Sequence, residues 1–201
     1  MSDESQEHSP AKGPASEAVS AERLTWTTYE SPIGRLTLLA GASGICGVRF
    51  PGDPAPPAQA ARGEMPRAVA QLASYFAGER RRFELDLDLR GTPFQRFVWE
   101  QLLQIPYGAT TSYGELARRV DETLYPAGLE PYKRARLVGA AVGRTPTPII
   151  VPCHRVIGAD GSLTGYGGGL QRKRALLDLE SGRAAKAARE AGPVERQLAL
   201  L

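Results

Sequence analysis

The sequence has little cysteine and no pair of cysteines spaced for a disulfide or a zinc site. Its two cysteines, Cys46 and Cys153, lie far apart in a chain of 201 residues. This spacing excludes a disulfide framework and fits a reducing compartment such as the cytoplasm. Because neither cysteine has a CxxC partner, we do not expect a structural zinc site.

Long apolar runs are also missing. No stretch approaches the roughly 18 apolar residues that a membrane-spanning helix needs. Residues 1–22 are rich in Ser, Ala, Glu and Pro and lack the charged-then-apolar order of a secretory signal. This composition predicts a disordered tail over residues 1–22. We expect a cytoplasmic protein without a membrane partner.

An excess of charge of one sign is absent as well. The formal net charge is +3 and the pI is about 9.0. So small a positive charge permits binding to nucleic acid but does not require it. Whether the protein binds nucleic acid must be judged from how its basic residues cluster. The length and the hydrophobic content of 42% allow one large or two small domains with a real core.

The pattern along residues 23–90 predicts an α/β domain. Three short segments rich in β-forming residues are separated by glycine-containing turns, which favours an antiparallel sheet: they are Leu24–Tyr29, Arg35–Ala40 and Ile45–Phe50. A helical stripe follows from Pro66 to Ala77, and Gly78 is placed to end it. Alternating apolar residues from Phe83 to Leu89 predict a further strand.

Residues 91–182 predict a helical C-terminal domain, and residues 183–201 a C-terminal tail. Thr92 and Pro93 suit the start of a first helix, and Ser112 has capping-box spacing to Glu115 at the start of a second. A third helix spans Tyr132–Arg144, and a last one spans Leu170–Glu180. The second and third helices resemble a helix-turn-helix, although the connection Asp121–Pro131 is longer than the usual turn.

The most informative segment places Cys153 and His154 directly after an apolar stretch, Ile149–Val151. A cysteine thiol is a poor nucleophile until a basic or positive group promotes the thiolate. Adjacent residues on a strand point to opposite faces, so His154 would reach the sulfur only through a water unless the backbone turns after Pro152. A carboxylate must then orient the imidazole. Glu180, which ends the helix after the glycine run, is the best candidate, and Asp178, on a different side of that helix, is the alternative.

Two further features accompany the thiol. Arg155 could pair with a carboxylate or a phosphate, or form a buried structural ion pair. The glycine run 167–169 lets backbone N–H groups approach a flat ligand closely.

The third helix of the C-terminal domain carries candidate DNA contacts. Basic side chains crowd its two ends, and small residues occupy its middle, which suits a groove bordered by phosphates: the basic residues are Lys133, Arg134, Arg136 and Arg144, and the small ones are Gly139, Ala140 and Ala141. Side chains of the Asn/Gln type that read base edges are absent from this helix. We therefore expect little sequence specificity.

With these pieces in order, the chain resembles the O6-alkylguanine-DNA alkyltransferase family. The resemblance covers Thr92 to Glu180 well and the N-terminal part in outline. Its motifs are TPFQRFVWEQL, IPYGATTSYGELA, RARLVGAAVGRTP, PIIVPCHRVI, GYGGG and KRALLDLE. The resemblance implies a ribonuclease-H-like N-terminal domain and a winged-helix-like helix-turn-helix in the C-terminal domain.

The resemblance also implies a reaction. Cys153 would accept the alkyl group from O6-alkylguanine, and from O4-alkylthymine, in double-stranded DNA, with His154 and Glu180 relaying its proton through a water. The thioether product lies outside reversible thiol–disulfide chemistry, so we expect one turnover per molecule and no metal or organic cofactor. A nucleoid-associated monomer is expected.

Roles in substrate recognition follow from the same resemblance. Arg136 would enter the duplex in place of the flipped nucleotide, and the helix that carries it would lie in the minor groove. Tyr113 would contact the guanine ring, and the backbone at Cys153 and Val156 would bind the exocyclic amine. The alkyl pocket would be lined by the segment Tyr166, Gly167 and Gly168.

Three features depart from the family pattern. Thr145 stands where an asparagine usually ties the helix-turn-helix to the active site, so we expect a looser structural connection there. The connection Asp121–Pro131 is longer than in typical members. Gly167 stands where serine or alanine is common, which favours bulkier alkyl groups.

Three other functions compete with this hypothesis. A damage sensor would bind lesions without transfer, and Cys153 argues against it. A cysteine hydrolase would need an oxyanion hole, and direct adjacency of Cys153 and His154 is atypical for such a pair. A transcription factor would need base-reading side chains.

Overall fold

The computed structural model describes residues 23–183, so both predicted tails lie outside the described residues except for Arg183. It has an α/β architecture in which a small sheet is followed by a mainly helical part. The strands are β1 (Thr25–Ser31), β2 (Gly34–Gly41), β3 (Gly44–Arg49), β4 (Ala61–Arg62), β5 (Thr111–Ser112) and β6 (Val156–Ile157). The α-helices are α1 (Pro66–Phe76), α2 (Pro93–Leu103), α3 (Tyr113–Arg119), α4 (Pro131–Gly143) and α5 (Leu170–Glu180).

The N-terminal sheet has the strand order β3-β2-β1-β4. Strands β1, β2 and β3 run antiparallel, as predicted, and β4 adds a short parallel edge to β1. Gly34 closes the first hairpin with φ of 107°, a conformation that side chains rarely adopt. The Ser31 hydroxyl donates to the Gly34 carbonyl across this turn at 2.6 Å.

The strand predicted over Phe83–Leu89 is wrong. This segment forms a single bridge, between Leu87 and Ile45 of β3. The Ile45 N–H donates to the Asp86 carbonyl at 2.8 Å, and the Asp88 N–H donates to the Ile45 carbonyl at 2.9 Å. The alternating apolar side chains pack against the core without a continuing ladder, so burial rather than strand pairing explains the period of two.

Local chemistry marks the starts of α2 and α3 and the end of α1. Thr92 caps α2 through a capping box with Gln95, and Ser112 caps α3 through one with Glu115. Gly78 follows the end of α1 with φ of 77°.

Two apolar clusters fill the interior, and the second one joins the two halves of the chain. The first lies among α2, α3 and α4 and includes Trp99, whose indole N–H donates to the Ala141 carbonyl at 2.9 Å. The second combines β2, β3 and α1 with three residues from the C-terminal half, Ile149, Ile150 and Leu176. The two halves therefore share one buried boundary.

The long connection between α3 and α4 is a packed structure. It contains a 3₁₀ turn, Glu122–Leu124. The buried Tyr125 packs on Phe94 and donates its hydroxyl proton to the Ala117 carbonyl at 2.8 Å. Arg134 at the start of α4 lies over the Tyr125 ring and pairs with Glu122 at 2.7 Å. None of the described helices is long and apolar enough to cross a membrane.

Candidate active site

The thiol lies on a backbone turn rather than on a strand. Residues Cys153–Arg155 form a 3₁₀ turn, in which the Arg155 N–H donates to the Pro152 carbonyl at 3.0 Å. Just before it, Ile149 has φ of 77°, the only positive φ of a non-glycine residue in the described part of the chain. A branched residue in this region is strained, and such strain is often held at functional sites. Because the backbone turns here, Cys153 and His154 are not held on opposite faces, as they would be on a strand.

Cys153 lies in the wall of a small cavity. Its exposed fraction is 5%, and the cavity has a volume of about 210 Å³. The walls come from the thiol turn, the end of α4, the glycine run and, unexpectedly, β3 and the residues after it. Those last residues are Val48, Phe50 and Asp53, which nothing in the sequence pattern assigned to the site.

A buried network orients the imidazole of His154. Its Nε2 lies 2.9 Å from Glu180 Oε1, and both side chains are fully buried. Arg155 donates to both oxygens of the same carboxylate, from Nε at 2.9 Å and from Nη2 at 2.8 Å. Tyr75 of α1 donates its hydroxyl proton to Oε1 at 2.7 Å, and the Gly108 N–H donates to Oε2 at 3.2 Å. Of the two predicted carboxylates, Glu180 therefore holds the imidazole, and Asp178 faces elsewhere.

The network fixes the charge states of its members. Burial alone would raise the pKa of Glu180, but hydrogen bonds from His154 and Arg155 and the charge of Arg155 lower it to about 2. Burial lowers the pKa of His154 further than Glu180 raises it, so the neutral imidazole is favoured. Its Nδ1 is buried and has no hydrogen-bond partner among the described side chains and backbone. The site thus holds a neutral imidazole with one free nitrogen beside a fixed carboxylate.

The thiol is protonated in this resting structure. Burial raises the pKa of Cys153 to about 11, and a hydrogen bond with Thr145, the charge of Lys173 and nearby backbone N–H groups counteract part of that effect. A base, or a change in the surroundings when the cavity is filled, is needed to generate the thiolate.

Lys173 is a site residue that sequence reasoning missed. It is fully buried on α5, and its Nζ donates to the carbonyls of Val156 at 2.6 Å, Thr164 at 2.7 Å and Gly165 at 3.3 Å. These bonds tie the loop before the glycine run to β6. A signal was available, because Lys173, Leu176 and Glu180 are spaced by three and four residues and share one helix face.

Most predicted substrate contacts surround the cavity. Tyr166 and Gly167 lie in its walls, and the Tyr166 hydroxyl is buried without a partner in the described structure. A side chain at Gly168 would come within 2.7 Å of the Phe50 ring, whereas one at Gly167 would meet nothing within 4 Å. Tyr113 stands outside the cavity lining, with its hydroxyl 3.3 Å from the Thr164 carbonyl.

The α4 residues predicted to face DNA divide into two groups. Lys133, Arg136 and Ala140 are exposed. Gly139 lets the Tyr113 ring approach, at 3.6 Å from the position of an added Cβ. Arg134 is engaged with Glu122 as described above. Ala141 is buried beneath Trp99, so its side chain lies in the core and not on the exposed face.

No cluster of three or more His, Cys, Asp or Glu side chains that could hold a metal ion occurs among residues 23–183. The arrangement offers a buried thiol, an oriented base and a cavity bordered by the C-terminal end of the basic helix α4. These parts together suit nucleophilic chemistry on a ligand that enters the cavity.

Comparison with known proteins relates the chain to one family. Two family models match the chain: the 6-O-methylguanine DNA methyltransferase, DNA binding domain, over residues 93–182, and the ribonuclease-like domain of the same family over residues 24–89. A methylated-DNA–protein-cysteine methyltransferase of Mycobacterium tuberculosis is 50% identical over 165 residues, which is 80% of this chain and 94% of the relative. A relative of the same name from Methanosarcina acetivorans is 42% identical over 78% of this chain and 98% of its own length.

Solved structures give the same result. The O6-methylguanine methyltransferase of Mycobacterium tuberculosis matches with a TM-score of 0.68 at 48% identity, covering 80% of this chain and 94% of that one. A Mycobacterium tuberculosis OGT in complex with DNA matches with a TM-score of 0.68 at 49% identity, over 79% of this chain and 94% of that one. With both family models matched and half of the aligned residues shared, the chain belongs to the methylated-DNA–protein-cysteine methyltransferase family.

Proposed function

We propose that this protein repairs DNA by transferring the alkyl group of O6-alkylguanine, and of O4-alkylthymine, irreversibly to Cys153. The observation that carries the proposal is the thiol in the cavity wall, followed in the chain by an imidazole that is hydrogen-bonded to a buried carboxylate. Family membership indicates the class of substrate, and the arrangement of thiol, imidazole and carboxylate supports the mechanism of transfer.

The chemistry is a displacement at carbon. The thiolate of Cys153 attacks the alkyl carbon, the new S–C bond forms as the C–O6 bond breaks, and the electron pair of that bond moves to the guanine oxygen. A backbone N–H donor in the glycine run stabilises the departing oxygen. The thioether product has no leaving group that the site can release, so each molecule reacts once. No cofactor takes part in any step.

The imidazole removes the thiol proton through a bridging water. Its Nε2 is committed to Glu180, which leaves the buried Nδ1 as the free acceptor. The lowered pKa of His154 favours the neutral, basic form at neutral pH. The Glu180 carboxylate then stabilises the imidazolium, as an orienting acid does in a catalytic triad. Arg155 has a structural role, because its guanidinium is spent on Glu180 and on the Ile105 carbonyl.

The damaged nucleotide must leave the base stack to reach the sulfur. Cys153 is 5% exposed inside a cavity, and a paired base cannot enter it. Extrusion costs a few kcal/mol, which a wedge in the duplex offsets. The exposed Arg136 on α4 is that wedge, with α4 in the minor groove and Lys133, Gly139 and Ala140 along it. In this proposal α3 and α4, with the short β5–β6 pair, act as a winged-helix-like module.

The flipped base is held by residues around the cavity. Tyr113 contacts the guanine ring, the backbone at Cys153 and Val156 binds the exocyclic amine, and Tyr166 with the glycines that follow encloses the alkyl group. The open space beside Gly167 leaves room for alkyl groups larger than methyl. The protein acts as a monomer on the cytoplasmic nucleoid in this proposal.

Intact mass spectrometry tests the transfer. The protein is incubated with duplex DNA containing O6-methylguanine, and we expect one added methyl group that maps to Cys153. Cys153→Ala should gain no mass while it retains DNA binding. An unchanged mass of the wild-type protein with tight binding would identify a damage sensor instead, and repeated turnover would contradict the irreversible step.

A further inference from the structure

The N-terminal half of the chain contributes an aromatic wall to the cavity beside the thiol. Phe50 follows the end of β3, is buried, and lines the cavity together with Cys153, Tyr166 and Gly168. A phenyl ring has no polar atom with which to donate, accept or move a proton in the proposed reaction. Its contribution to the site is the space that it occupies in the cavity wall.

The Phe50 ring packs directly on the glycine run. Its centroid lies 5.8 Å from that of the Tyr166 ring, at an interplanar angle of 59°, which is within the range of favourable aromatic pairs. A Cβ added at Gly168 would come within 2.7 Å of the Phe50 ring. The ring therefore closes the cavity behind the two residues that are expected to enclose the alkyl group.

Two sets of contacts hold Phe50 in place. Its backbone forms a turn with Asp53, because the Phe50 N–H donates to Asp53 Oδ2 at 2.7 Å and the Asp53 N–H donates to the Phe50 carbonyl at 3.1 Å. The Arg172 guanidinium of α5 lies 5.4 Å from the centroid of the ring. Arg172 is itself fixed, since it donates to the Ile33 carbonyl at 2.9 Å and to the Gly168 carbonyl at 2.8 Å. A wall held in this way yields little to a larger ligand.

The small volume of the cavity makes this wall important. The volume of about 210 Å³ is below the roughly 300 to 1,000 Å³ of most pockets that enclose small molecules. The loss of a few wall atoms therefore changes what fits. A Cβ added at Gly167 would meet nothing within 4 Å, so the cavity is open on that side. The closed side is the aromatic one.

We infer that Phe50 is a specificity-determining residue, whose ring limits the size of the alkyl group that Cys153 can accept. Its role in transfer from DNA rests on the proposed function, whereas the limit on the space beside the sulfur does not. A smaller side chain at position 50 removes part of the wall and leaves the thiol, the imidazole and the carboxylate unchanged. A group larger than methyl then gains room, while methyl, which already fits, gains little.

Transfer from two duplexes tests the inference. The duplexes differ only in carrying O6-methylguanine or O6-benzylguanine, and both require the extrusion of one nucleotide, so the ratio of their transfer rates isolates the fit of the alkyl group. For Phe50→Ala we expect the benzyl-to-methyl ratio to rise about tenfold over wild type, which is the scale of discrimination by an apolar pocket. An unchanged or lowered ratio overturns the inference, as does an equal loss on both substrates.

Phe76→Ala is the matched control. Phe76 packs on the same apolar cluster as Phe50 but lies outside the cavity wall. Its benzyl-to-methyl ratio should stay within about twofold of wild type, because distant sites act independently. A rise as large as that of Phe50→Ala would assign the effect to a loosened core and overturn the inference. Phe50→Leu replaces the alanine variant if that one does not fold, with a smaller rise expected.

A second measurement needs no DNA. Iodoacetamide and the bulkier iodoacetanilide both alkylate thiols, and peptide mass maps the product to Cys153. The ratio of the anilide rate to the acetamide rate should rise in Phe50→Ala and not in Phe76→Ala, and equal ratios in both variants overturn the inference. Failure of the wild-type protein to accept methyl from DNA would reject the proposed function, and the reagent ratio would then decide by itself whether the ring limits the space at the sulfur.

Discussion

At the scale of single residues, Glu180 holds the site together. Its two oxygens receive hydrogen bonds from Tyr75, Arg155 and the Gly108 backbone and contact His154. One carboxylate thus joins α1, α5, the loop before α3 and the thiol turn. Such a buried charge is stabilising only while its partners remain, because removal of one member leaves the others desolvated and unpaired.

Glu180→Gln should therefore destabilise the protein strongly. The neutral amide leaves the Arg155 charge buried without a counter-ion, and its NH2 group faces the groups that donate hydrogen bonds to Glu180. We therefore expect a loss of about 3 to 5 kcal/mol in the free energy of unfolding. Urea titration at neutral pH measures this loss. Asp178→Asn on the same helix is the matched control, and an equal loss in both variants would contradict the role of Glu180.

The stability of the protein should also depend on pH through the Glu180 carboxylate. Because the folded-state pKa of Glu180 is lowered from 4.5 to about 2, its contribution is complete above the unfolded value and is lost as the pH falls from about 4.5 toward 2. The wild-type free energy of unfolding should fall in this window by about 3 kcal/mol more than that of Glu180→Gln. Parallel curves for the two proteins would show that the carboxylate is not held in its charged form.

At the scale of elements, side-chain caps fix where α2 and α3 begin. Thr92 accepts the Gln95 N–H at 3.2 Å, and the Gln95 side chain accepts the Thr92 N–H at 2.9 Å. This box starts α2, which carries the buried Trp99 that supports α4. The packing of Trp99 from α2 against α4 therefore helps to place α4 beside the cavity.

Thr92→Ala should weaken α2 by about 1 kcal/mol, because the orphan N–H groups at its start lose their side-chain acceptor. Chemical denaturation measures the change, and Thr92→Ser, which keeps the acceptor, is the control. A loss in the serine variant as large as in the alanine variant would assign the effect to the methyl group instead of the cap.

Arg136→Ala tests α4 as the element that opens the duplex. We expect transfer from duplex O6-methylguanine to fall about ten- to a hundredfold, since part of the extrusion cost is no longer offset. Transfer from the free O6-methylguanine base should be unchanged, because that substrate needs no flipping. Arg67→Ala, an exposed arginine of α1, controls for the loss of positive charge. Equal losses on both substrates would contradict the role as a wedge.

At the scale of the whole molecule, the two halves share a core and a site. Ile149, Ile150 and Leu176 pack into the cluster built by β2, β3 and α1, and Tyr75 of α1 bonds Glu180 of α5. We therefore expect residues 23–183 to unfold in one cooperative transition.

The two tryptophans allow a direct measurement, because Trp26 lies in β1 and Trp99 in α2. In Trp26→Phe, fluorescence reports only the C-terminal half, while far-ultraviolet circular dichroism reports both. The two urea curves should superimpose. A biphasic dichroism curve of which fluorescence follows one phase would show that the halves unfold separately.

Much of the fold could be predicted from local patterns. Segments rich in β-forming residues and the turns between them predicted β1, β2 and β3, and capping residues predicted the starts of α2 and α3. The strand predicted at Phe83–Leu89 was wrong. Alternating apolar residues indicate that one side of a segment is buried, but they do not indicate that another strand is hydrogen-bonded along it.

The site divides in the same way. The types of residue that nucleophilic chemistry requires are visible in the chain, and they singled out Cys153, His154 and a carboxylate on the last helix. The sequence favoured Glu180 over Asp178, but its contact with His154, the burial of Lys173 and the contribution of Phe50 to the cavity depended on contacts between residues distant in sequence. A helix presents several faces, and only packing decides which one points inward.

The sequence by itself determined which side chains are present: a thiol, its neighbouring imidazole and a helix with basic residues. Only the tertiary structure decided that Cys153 and His154 lie on a turn instead of a strand, that one carboxylate from α5 reaches the imidazole, and that residues of β3 help to line the cavity beside the thiol. The reason is physical: side-chain identity sets what a group can donate, accept or attack, whereas its burial and partners, which set its pKa, come from chain segments far away along the sequence.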